Sequence, residues 1–320
     1  MSNVAVIGAG AWGTALAIQA ARAGNSVALW ARDPARAEAI AASRENPRLP
    51  GRRLHDAVQV VHALPDSADV VLLAVPMQHL RAVLTRLALP AAPLVVCIKG
   101  VEAGTLRLPL EVAAELRPGA PAGVLTGPNF AHEIAAGLPA AAVIAAGDPA
   151  LRDRISTLLA TSSFRLYGND DTVGAQVGGA AKNVVAIAAG AVVGAGLGEN
   201  ARAALITRGL AELSRLAVAL GGRAETVMGL SGLGDLLLTC TGPASRNYSL
   251  GLALARGEAL AEVLASRSAV TEGVATAPAL VARAAGVDLP ICAAVAELLA
   301  GRTTLPEAIA RLLARPRRDE

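Results

Sequence analysis

Lysine is almost missing from this chain of 320 residues. The 29 basic residues include only two lysines, Lys99 and Lys182, so arginine fills every other cationic position. Arginine keeps its proton in proteins, whereas a desolvated lysine can lose it. The two lysines therefore mark positions where arginine would fail, with chance survival as the alternative.

Other scarcities exclude whole classes of protein. The three cysteines, Cys97, Cys240 and Cys292, lie far apart without metal-ligand spacing, which predicts free buried thiols in a reducing compartment and no metal site. A net charge of +3 without a basic block gives no indication of nucleic-acid binding. The most apolar uncharged run, residues 184–198, is shorter than the roughly 20 residues of a membrane span. With a strand at the very N-terminus in place of a signal peptide, we expect a soluble, cytoplasmic protein.

The N-terminal 33 residues carry a dinucleotide-binding pattern. A β-branched run at residues 3–7 is followed by Gly8-Ala9-Gly10-Ala11-Trp12-Gly13, a helical pattern over residues 14–23 and a second strand at 26–31. In such a unit Gly8 permits the tight turn, Gly10 lets a pyrophosphate approach the backbone, and Gly13 lets helix and strand pack closely. The alternative is an ordinary glycine-rich turn.

The residues after the second strand indicate which dinucleotide binds. An acid there bonds the ribose 2′-hydroxyl of NAD, whereas an arginine suits the 2′-phosphate of NADP. Arg32 follows the strand and Asp33 comes next, which favours NADPH and leaves NADH open. Alternatively, Arg32 is a solvated turn residue while Asp33 caps the next helix; both roles are compatible.

Alternating strands and helices over the first half predict a Rossmann-type α/β domain with a mainly parallel sheet, residues 1–172. Further strands are expected at residues 58–61, 68–75, 93–98, 122–126, 140–146 and 163–167. Strand signals then stop, and residues 173–320 are expected to form an all-α domain. Ligands in such sheets bind beyond the carboxyl ends of the strands, which places Lys99 and Gly127 on the binding edge. The predicted active site is the cleft between the two domains.

Lys182 lies in a long helical stretch of small apolar residues without a neighbouring acid. Burial there is expected to lower its pKa, as a lysine acting as a general acid/base near neutral pH requires. Alternatively, the side chain extends to water from a helix surface.

Two further polar sets follow in the helical half. A glycine-rich turn ends in Asp235, and Ser245-Arg246-Asn247 stands at a predicted helix start, where its donors could bind a phosphate. The alternative for Ser245 is an ordinary N-cap with surface neighbours. Thr271 could likewise cap the next helix, with Glu272 in its first turn.

These motifs in this order closely resemble the bacterial NAD(P)-dependent glycerol-3-phosphate dehydrogenases over essentially the full length. The motifs are Gly8 to Ala15, Ile98-Lys99-Gly100, Gly127 to Ala131, Lys182-Asn183, Gly232 to Asp235, Ser245 to Asn247 and Val270 to Gly273. The resemblance implies reduction of dihydroxyacetone phosphate to sn-glycerol 3-phosphate for phospholipid synthesis, with a homodimer as an open possibility.

The resemblance also implies residue roles. Lys182 would donate and accept the proton, and Lys99 would bridge cofactor and substrate. The remaining cofactor contacts would come from Gly8, Gly10, Ala11, Trp12, Gly13, Arg32, Ala131, Arg246, Val270 and Glu272. The remaining substrate contacts would come from Gly127, Asn129, Asp235, Ser245, Arg246 and Asn247. Many relatives carry serine where this chain has Asn129.

Two rival functions stay open at this point. A reductase or dehydrogenase of a 3-hydroxy acid shares the domain order but would not depend on a substrate phosphate. A non-catalytic NADPH sensor would bind the cofactor without oxidising it.

Overall fold

The computed structural model describes residues 1–267 and 269–316. These residues group into two compact units. The first contains Met1–Lys99 and Arg107–Gln176, and the second contains Gly100–Leu106 together with the chain from Val177 onwards. Helix Thr172–Gly194 runs from the first unit into the second. The predicted domains, 1–172 and 173–320, stay a prediction.

The first unit is built on one sheet with the strand order β3-β2-β1-β4-β5-β6-β7-β8 among the described residues. Val, Ile, Leu and Ala fill the central strands, and all of β4 and β5 is buried, as expected for strands covered on both faces. The strands are β1 (Asn3–Ile7), β2 (Ser26–Trp30), β3 (Val58–Val61), β4 (Val70–Leu73), β5 (Leu94–Val96), β6 (Ala122–Thr126), β7 (Ala140–Ala145) and β8 (Phe164–Asn169).

The direction of the last two strands departs from the rest. Strands β1 to β6 pair in parallel, β6 pairs with β7 antiparallel, and β7 pairs with β8 in parallel. The predicted mainly parallel sheet is therefore confirmed, with a reversal at β7. The parallel part brings the carboxyl ends of β1, β4, β5 and β6 to one edge of the sheet, because these four strands are consecutive neighbours.

Helices follow most strands and make up the second unit, so the predicted succession of an α/β part and an all-α part is confirmed. Helix α1 begins at Ala11 rather than Thr14, because Gly10 already has the extended conformation of an N-cap. The helices are α1 (Ala11–Arg22), α2 (Pro34–Ser43), α3 (Met77–Arg86), α4 (Pro109–Leu116), α5 (Ala131–Ala136), α6 (Pro149–Leu159), α7 (Thr172–Gly194), α8 (Gly198–Ala219), α9 (Ala224–Met228), α10 (Asp235–Cys240), α11 (Arg246–Ala255), α12 (Leu260–Ala265), α13 (Glu272–Arg283), α14 (Pro290–Leu299) and α15 (Leu305–Leu313).

Helices α7 and α11 touch backbone to backbone. A Cβ on Gly190 of α7 would lie 1.9 Å from the carbonyl oxygen of Tyr248, and a Cβ on Gly251 of α11 would lie 1.9 Å from the carbonyl oxygen of Ile187. Any side chain at either glycine would overlap the facing helix. The alanine- and glycine-rich composition of this part thus allows unusually close helix packing.

Helix α7 is also long and apolar enough to cross a membrane by length and composition. Its most apolar window is 83% buried inside the protein, which is the pattern of a core helix.

A buried acid connects two helices of the second unit. The carboxylate of Glu212 on α8 is 1% exposed and accepts hydrogen bonds from the backbone N–H groups of Ile291 and Cys292 at the start of α14. These N–H groups have no partner within their own helix, so a carboxylate fits them in both charge and hydrogen bonding. Burial nevertheless raises the pKa of Glu212 above its ordinary value of 4.5, against the lowering effect of these N–H groups and of Arg215.

This raised pKa predicts a pH-dependent contribution to stability. Between pH 4.5 and the raised pKa, folded Glu212 keeps a proton that the unfolded chain has lost, so stability falls as the pH rises through that window. Glu212→Gln removes this dependence. We expect the Tm of the variant, relative to that of the wild type, to increase as the pH rises. Glu262 is exposed, so Glu262→Gln serves as the control. If the Tm difference between Glu212→Gln and the wild type stayed constant with pH, this role of Glu212 would be contradicted.

Candidate active site

The glycine turn after β1 has the geometry predicted for it. Gly8 has φ +115°, a left-handed conformation that favours glycine, and a Cβ on Gly13 would lie 1.9 Å from the carbonyl oxygen of Gly8. Beside Gly10 the space is open, with no heavy atom of the described residues within 4 Å of an added Cβ. The first N–H groups of α1, from Ala11 onwards, have no intrahelical partner and can bind an anion. The turn therefore fits the pyrophosphate of a dinucleotide.

Trp12 and the residues after β2 flank this turn in sequence. The indole Nε1 of Trp12 donates to the carbonyl oxygen of Cys97 at 3.1 Å, which fixes the start of α1 to the end of β5. Arg32 is exposed, and Asp33 caps α2 by accepting from the N–H of Arg36 at 3.4 Å. The capping alternative for Asp33 is thus confirmed. The contacts of Trp12 and Arg32 with a cofactor stay predictions.

Lys99 and Gly127 meet at the carboxyl edge of the sheet. Nζ of Lys99 donates to the carbonyl oxygen of Gly127 at 3.0 Å, so the residues following β5 and β6 are joined. Asn129 follows directly, and neither its Oδ1 nor its Nδ2 has a hydrogen-bond partner among the described residues, although both atoms are buried. Leaving such an amide unsatisfied costs about 1–3 kcal/mol per group. A polar ligand at Asn129 would remove that cost. Ala131 is the first residue of α5.

Lys182 is the centre of the candidate site in the second unit. Its side chain is buried, with the residue 7% exposed, and its Nζ donates to Oδ1 of Asp235 at 2.5 Å and to Oγ1 of Thr239 at 2.7 Å. The Thr239 hydroxyl in turn donates to the carbonyl oxygen of Asp235 at 2.6 Å. The π-helical turn Leu230–Gly234 leads directly into α10, whose first residue is Asp235. This turn delivers the carboxylate to the lysine.

The prediction that Lys182 has no neighbouring acid is therefore wrong, whereas its predicted burial is confirmed. Asp235 is 53 residues away in sequence, so only the packing of α10 against α7 brings the two together. A carboxylate at this distance favours the ammonium form and opposes desolvation, so burial alone does not determine the charge of Lys182. Asp235 itself is fully buried against the lysine. Its contact with substrate stays a prediction.

Cys240 lies in the same environment and is excluded as a nucleophile. Burial raises the pKa of its thiol to about 12, with Lys182 lowering and Asp235 raising that pKa. At neutral pH the group is a protonated thiol, which is a poor nucleophile. The three predicted free buried cysteines are confirmed.

The predicted phosphate-binding residues stand at the start of α11. Ser245 is the N-cap, and its Oγ accepts from the N–H of Tyr248 at 3.2 Å, so the capping alternative holds. Asn247 is buried and joins three helices: its Nδ2 donates to Oδ1 of Asn183 at 2.9 Å, and its Oδ1 accepts from the N–H of Gly273 at 3.0 Å. The polar groups of Ser245 and Asn247 thus serve the fold, whether or not they also touch a substrate.

Arg246 is the charged residue among the three predicted phosphate-binding residues 245–247. The residue is exposed. Desolvation of its guanidinium lowers the pKa of Arg246, and the carboxylate of Glu272 at the start of α13 raises it. The guanidinium and this carboxylate are therefore close enough to interact. Such a pair at two helix starts can bind both an anion and a hydroxyl-rich ligand.

The start of α13 carries the remaining predicted contacts. Val270 is 45% exposed. Thr271 occupies the N-cap position, but its Oγ1 accepts from Nη1 of Arg267 at 3.0 Å instead of capping the helix. The same guanidinium donates to the carbonyl oxygen of Arg246 at 2.6 Å, which ties the start of α11 to the start of α13.

Sequence reasoning missed three residues that shape these sites. Thr239 has no signal of its own, although its position four residues after Asp235 places it on the same face of α10. Arg267 is one of 27 arginines, and nothing in the sequence distinguishes it. Asn46 lies in a polar stretch, yet it is fully buried against the glycine turn.

Comparison with known proteins decides the family. A model of the N-terminal part of NAD-dependent glycerol-3-phosphate dehydrogenases matches residues 3–152, and a model of the C-terminal part matches residues 171–310. The chain belongs to the NAD-dependent glycerol-3-phosphate dehydrogenase family. This confirms the resemblance seen in its motifs.

Individual relatives agree with this family along the whole chain. The chain is 59% identical over 318 residues to the glycerol-3-phosphate dehydrogenase [NAD(P)+] of Acidiphilium cryptum, covering 99% of this chain and 98% of the relative. It is 55% identical over 285 residues to that of Gluconobacter oxydans, covering 88% and 87%. The crystal structure of glycerol-3-phosphate dehydrogenase from Coxiella burnetii superposes with a TM-score of 0.93 at 36% identity, covering 98% and 99%.

The pairing of Lys182 with Asp235 predicts how the lysine titrates. Removing the carboxylate in Asp235→Asn leaves a buried ammonium without its opposite charge, so the lysine should lose its proton at a lower pH than in the wild type. Because the chain has only two lysines, isotope labelling of lysine gives two side-chain NMR signals, and Lys99→Arg assigns them. Glu212→Gln, another buried carboxylate of the same unit, is the control and should leave the Lys182 titration unchanged. An unshifted titration in Asp235→Asn would contradict this account.

Proposed function

We propose that this protein reduces dihydroxyacetone phosphate to sn-glycerol 3-phosphate with NADPH or NADH, reversibly, and so supplies glycerophospholipid synthesis. Membership of the glycerol-3-phosphate dehydrogenase family supports the reaction, and the names of the relatives support the use of either nicotinamide cofactor. The observation that carries the mechanism is the buried Lys182, hydrogen-bonded to Asp235 and Thr239.

The bound cofactor supplies the hydride and the protein supplies orientation and the proton. Negative charge grows on the carbonyl oxygen of the substrate during reduction. Lys182 as ammonium stabilises that charge and donates its proton to the oxygen. In the reverse direction, neutral Lys182 accepts the hydroxyl proton. Asp235 and Thr239 hold Nζ in place and favour its charged form, so they position the proton donor.

Binding of the phosphate is assigned to the start of α11. The phosphate is remote from the reacting carbon, so its binding energy can be used to position the ketone. Arg246 supplies a charged donor, and a guanidinium can bind two phosphate oxygens at once. Lys99 and Asn129 are assigned to the substrate as well. For Asn129 the support is its unsatisfied buried amide.

The cofactor is assigned to the glycine turn between β1 and α1. Gly8, Gly10, Ala11 and Gly13 present backbone to the pyrophosphate, and Arg32 is assigned to the 2′-phosphate of NADPH. The further cofactor contacts assigned from the resemblance are Trp12, Lys99, Ala131, Arg246, Val270 and Glu272. A cytoplasmic location is proposed from the three free buried thiols, which suit a reducing compartment. The homodimer stays a prediction that sedimentation can measure.

Oxidation of NADPH with two ketones tests the substrate class. We expect turnover with dihydroxyacetone phosphate and at least a hundredfold lower kcat/KM with unphosphorylated dihydroxyacetone. Arg246→Ala should raise KM for the phosphorylated ketone about tenfold or more, because a charged hydrogen bond to phosphate is lost. Arg256→Ala, an exposed arginine following the same helix, is the control. Equal activity on both ketones would indicate the hydroxy-acid class, and cofactor binding without any turnover would indicate a sensor.

The proton role of Lys182 is tested by Lys182→Arg. Arginine keeps a positive charge but cannot release its proton near neutral pH, so we expect turnover to fall about a thousandfold or more while the Kd for NADPH stays within about twofold. Calorimetry gives the Kd, and circular dichroism verifies the fold. Turnover close to that of the wild type in a folded variant would refute the role.

A further inference from the structure

The glycine turn is held by two side chains that no part of the proposed reaction uses. The carbonyl oxygen of Ala9 accepts from Nη2 of Arg36 at 2.5 Å and from Nδ2 of Asn46 at 3.1 Å. Asn46 is fully buried, and the same Nδ2 donates to Oγ1 of Thr14 in the first turn of α1 at 2.7 Å. Its Oδ1 accepts from Nη2 of Arg36 at 3.2 Å and from the N–H of Arg48 at 3.1 Å. All of these groups belong to the first unit.

The position of these bonds matters because of peptide geometry. In a trans peptide the C=O and the following N–H point in opposite directions. Fixing the carbonyl of Ala9 towards Arg36 and Asn46 therefore aims the N–H of Gly10 the other way. Gly10 is the N-cap of α1 and has open space beside it. The orientation of this one peptide decides whether its N–H is available to an anion at the start of α1.

The electrostatics make a direct charge role for Arg36 the main competing explanation. Partial desolvation lowers the pKa of Arg36, as does the nearby charge of Arg48, while Asp33 raises it. Arg36 and Arg48 thus place two positive charges close to the turn. If they acted only by charge, they would favour the ligand with the additional phosphate, which is NADPH. Holding the peptide instead affects any ligand that carries the pyrophosphate.

We propose that Asn46, with Arg36, is a positioning residue of the dinucleotide site: together they fix the Ala9–Gly10 peptide so that the Gly10 N–H points to the pyrophosphate. This inference rests on the proposed cofactor role of the glycine turn. It assigns a function to a buried asparagine outside the glycine motif. Arg36 contributes through the carbonyl that it binds.

The test compares two buried asparagines whose Nδ2 each donates two hydrogen bonds. Asn25 lies beyond the C-terminal end of α1 and is 5% exposed. Its Nδ2 donates to the carbonyl oxygens of Ala20 at 2.8 Å and Leu158 at 2.7 Å. Asn46→Asp and Asn25→Asp each exchange this donor for an acceptor. If only one tenth of the molecules keep the binding-competent peptide, the Kd rises tenfold. We expect Asn46→Asp to raise the Kd for NADPH, NADH and ADP-ribose by about the same factor, ten or more, and Asn25→Asp to change none of them.

Two further measurements separate positioning from a loss of stability. In Asn46→Asp, kcat at saturating cofactor and KM for dihydroxyacetone phosphate should stay within about twofold of wild type. Without any ligand, backbone amide exchange in residues 8–14 should accelerate in Asn46→Asp and not in Asn25→Asp. Should Asn46→Asp fail to fold, Arg36→Met takes its place in the test, because it keeps the aliphatic part of the side chain and removes the hydrogen-bond donors. We then expect Arg36→Lys to restore part of the cofactor affinity.

The outcomes are distinct. Equal weakening of all three ligands, together with faster amide exchange in residues 8–14 of the ligand-free variant, supports the positioning role. Equal weakening without faster exchange shows that the new carboxylate only repels the anionic ligands, and selective weakening of NADPH shows that the charge acts on the 2′-phosphate; either result overturns it. Unchanged Kd values in a folded Asn46→Asp overturn it as well. Absence of binding to the wild-type protein would instead refute the proposed cofactor role itself.

Discussion

Under the proposed mechanism, the chemistry depends on the buried ion pair between Lys182 and Asp235. An ammonium 7% exposed among alanines, glycines and valines would be very unfavourable alone, and the carboxylate at 2.5 Å makes that burial tolerable. The pair also limits where Nζ can lie, since Thr239 occupies a second hydrogen-bonding direction. Under the proposed mechanism, this fixed position is the one from which Nζ serves the substrate oxygen.

The cofactor side follows a different physical principle. Under the proposed function, the ligand-binding groups there are backbone N–H groups, which have no rotamers but depend on the orientation of each peptide. Side chains outside the motif, Asn46 and Arg36, act on that orientation through the carbonyl of Ala9. One site is thus organised by a charge pair and the other by the direction of a peptide.

Much of the fold could be predicted from the sequence, because strands such as β1 and β6 are apolar runs that end directly before a glycine. Strands β3 and β6 have their predicted bounds. The reversal at β7 could not be predicted, since the apolar pattern of a buried strand carries no direction. Helix α4 was not expected either. It is only eight residues long, which is too short for a clear period.

The site was predictable where a motif implies a backbone conformation and unpredictable where it depends on tertiary contacts. Gly8 and Gly13 were assigned correctly because steric limits at a tight turn admit few residues. The partner of Lys182 was missed because 53 residues separate it from Asp235. Asn46 was missed for a similar reason: two of its four partners are backbone atoms, which every residue type offers, and Thr14 is 32 residues away in sequence.

The close approach of helices α7 and α11 at Gly190 and Gly251 fixes a length inside the second unit. Lys182 lies about two turns before Gly190 on α7, and Arg246 lies somewhat more than one turn before Gly251 on α11. At these two glycines the backbones approach directly, so the distance between the helix backbones that carry Lys182 and Arg246 is set by that approach. Under the proposed roles, this fixed distance selects substrates by the length between the ketone and the anionic group. A ketone with one carbon more or less before its anionic group would be rejected by helix geometry and not by the wall of a pocket.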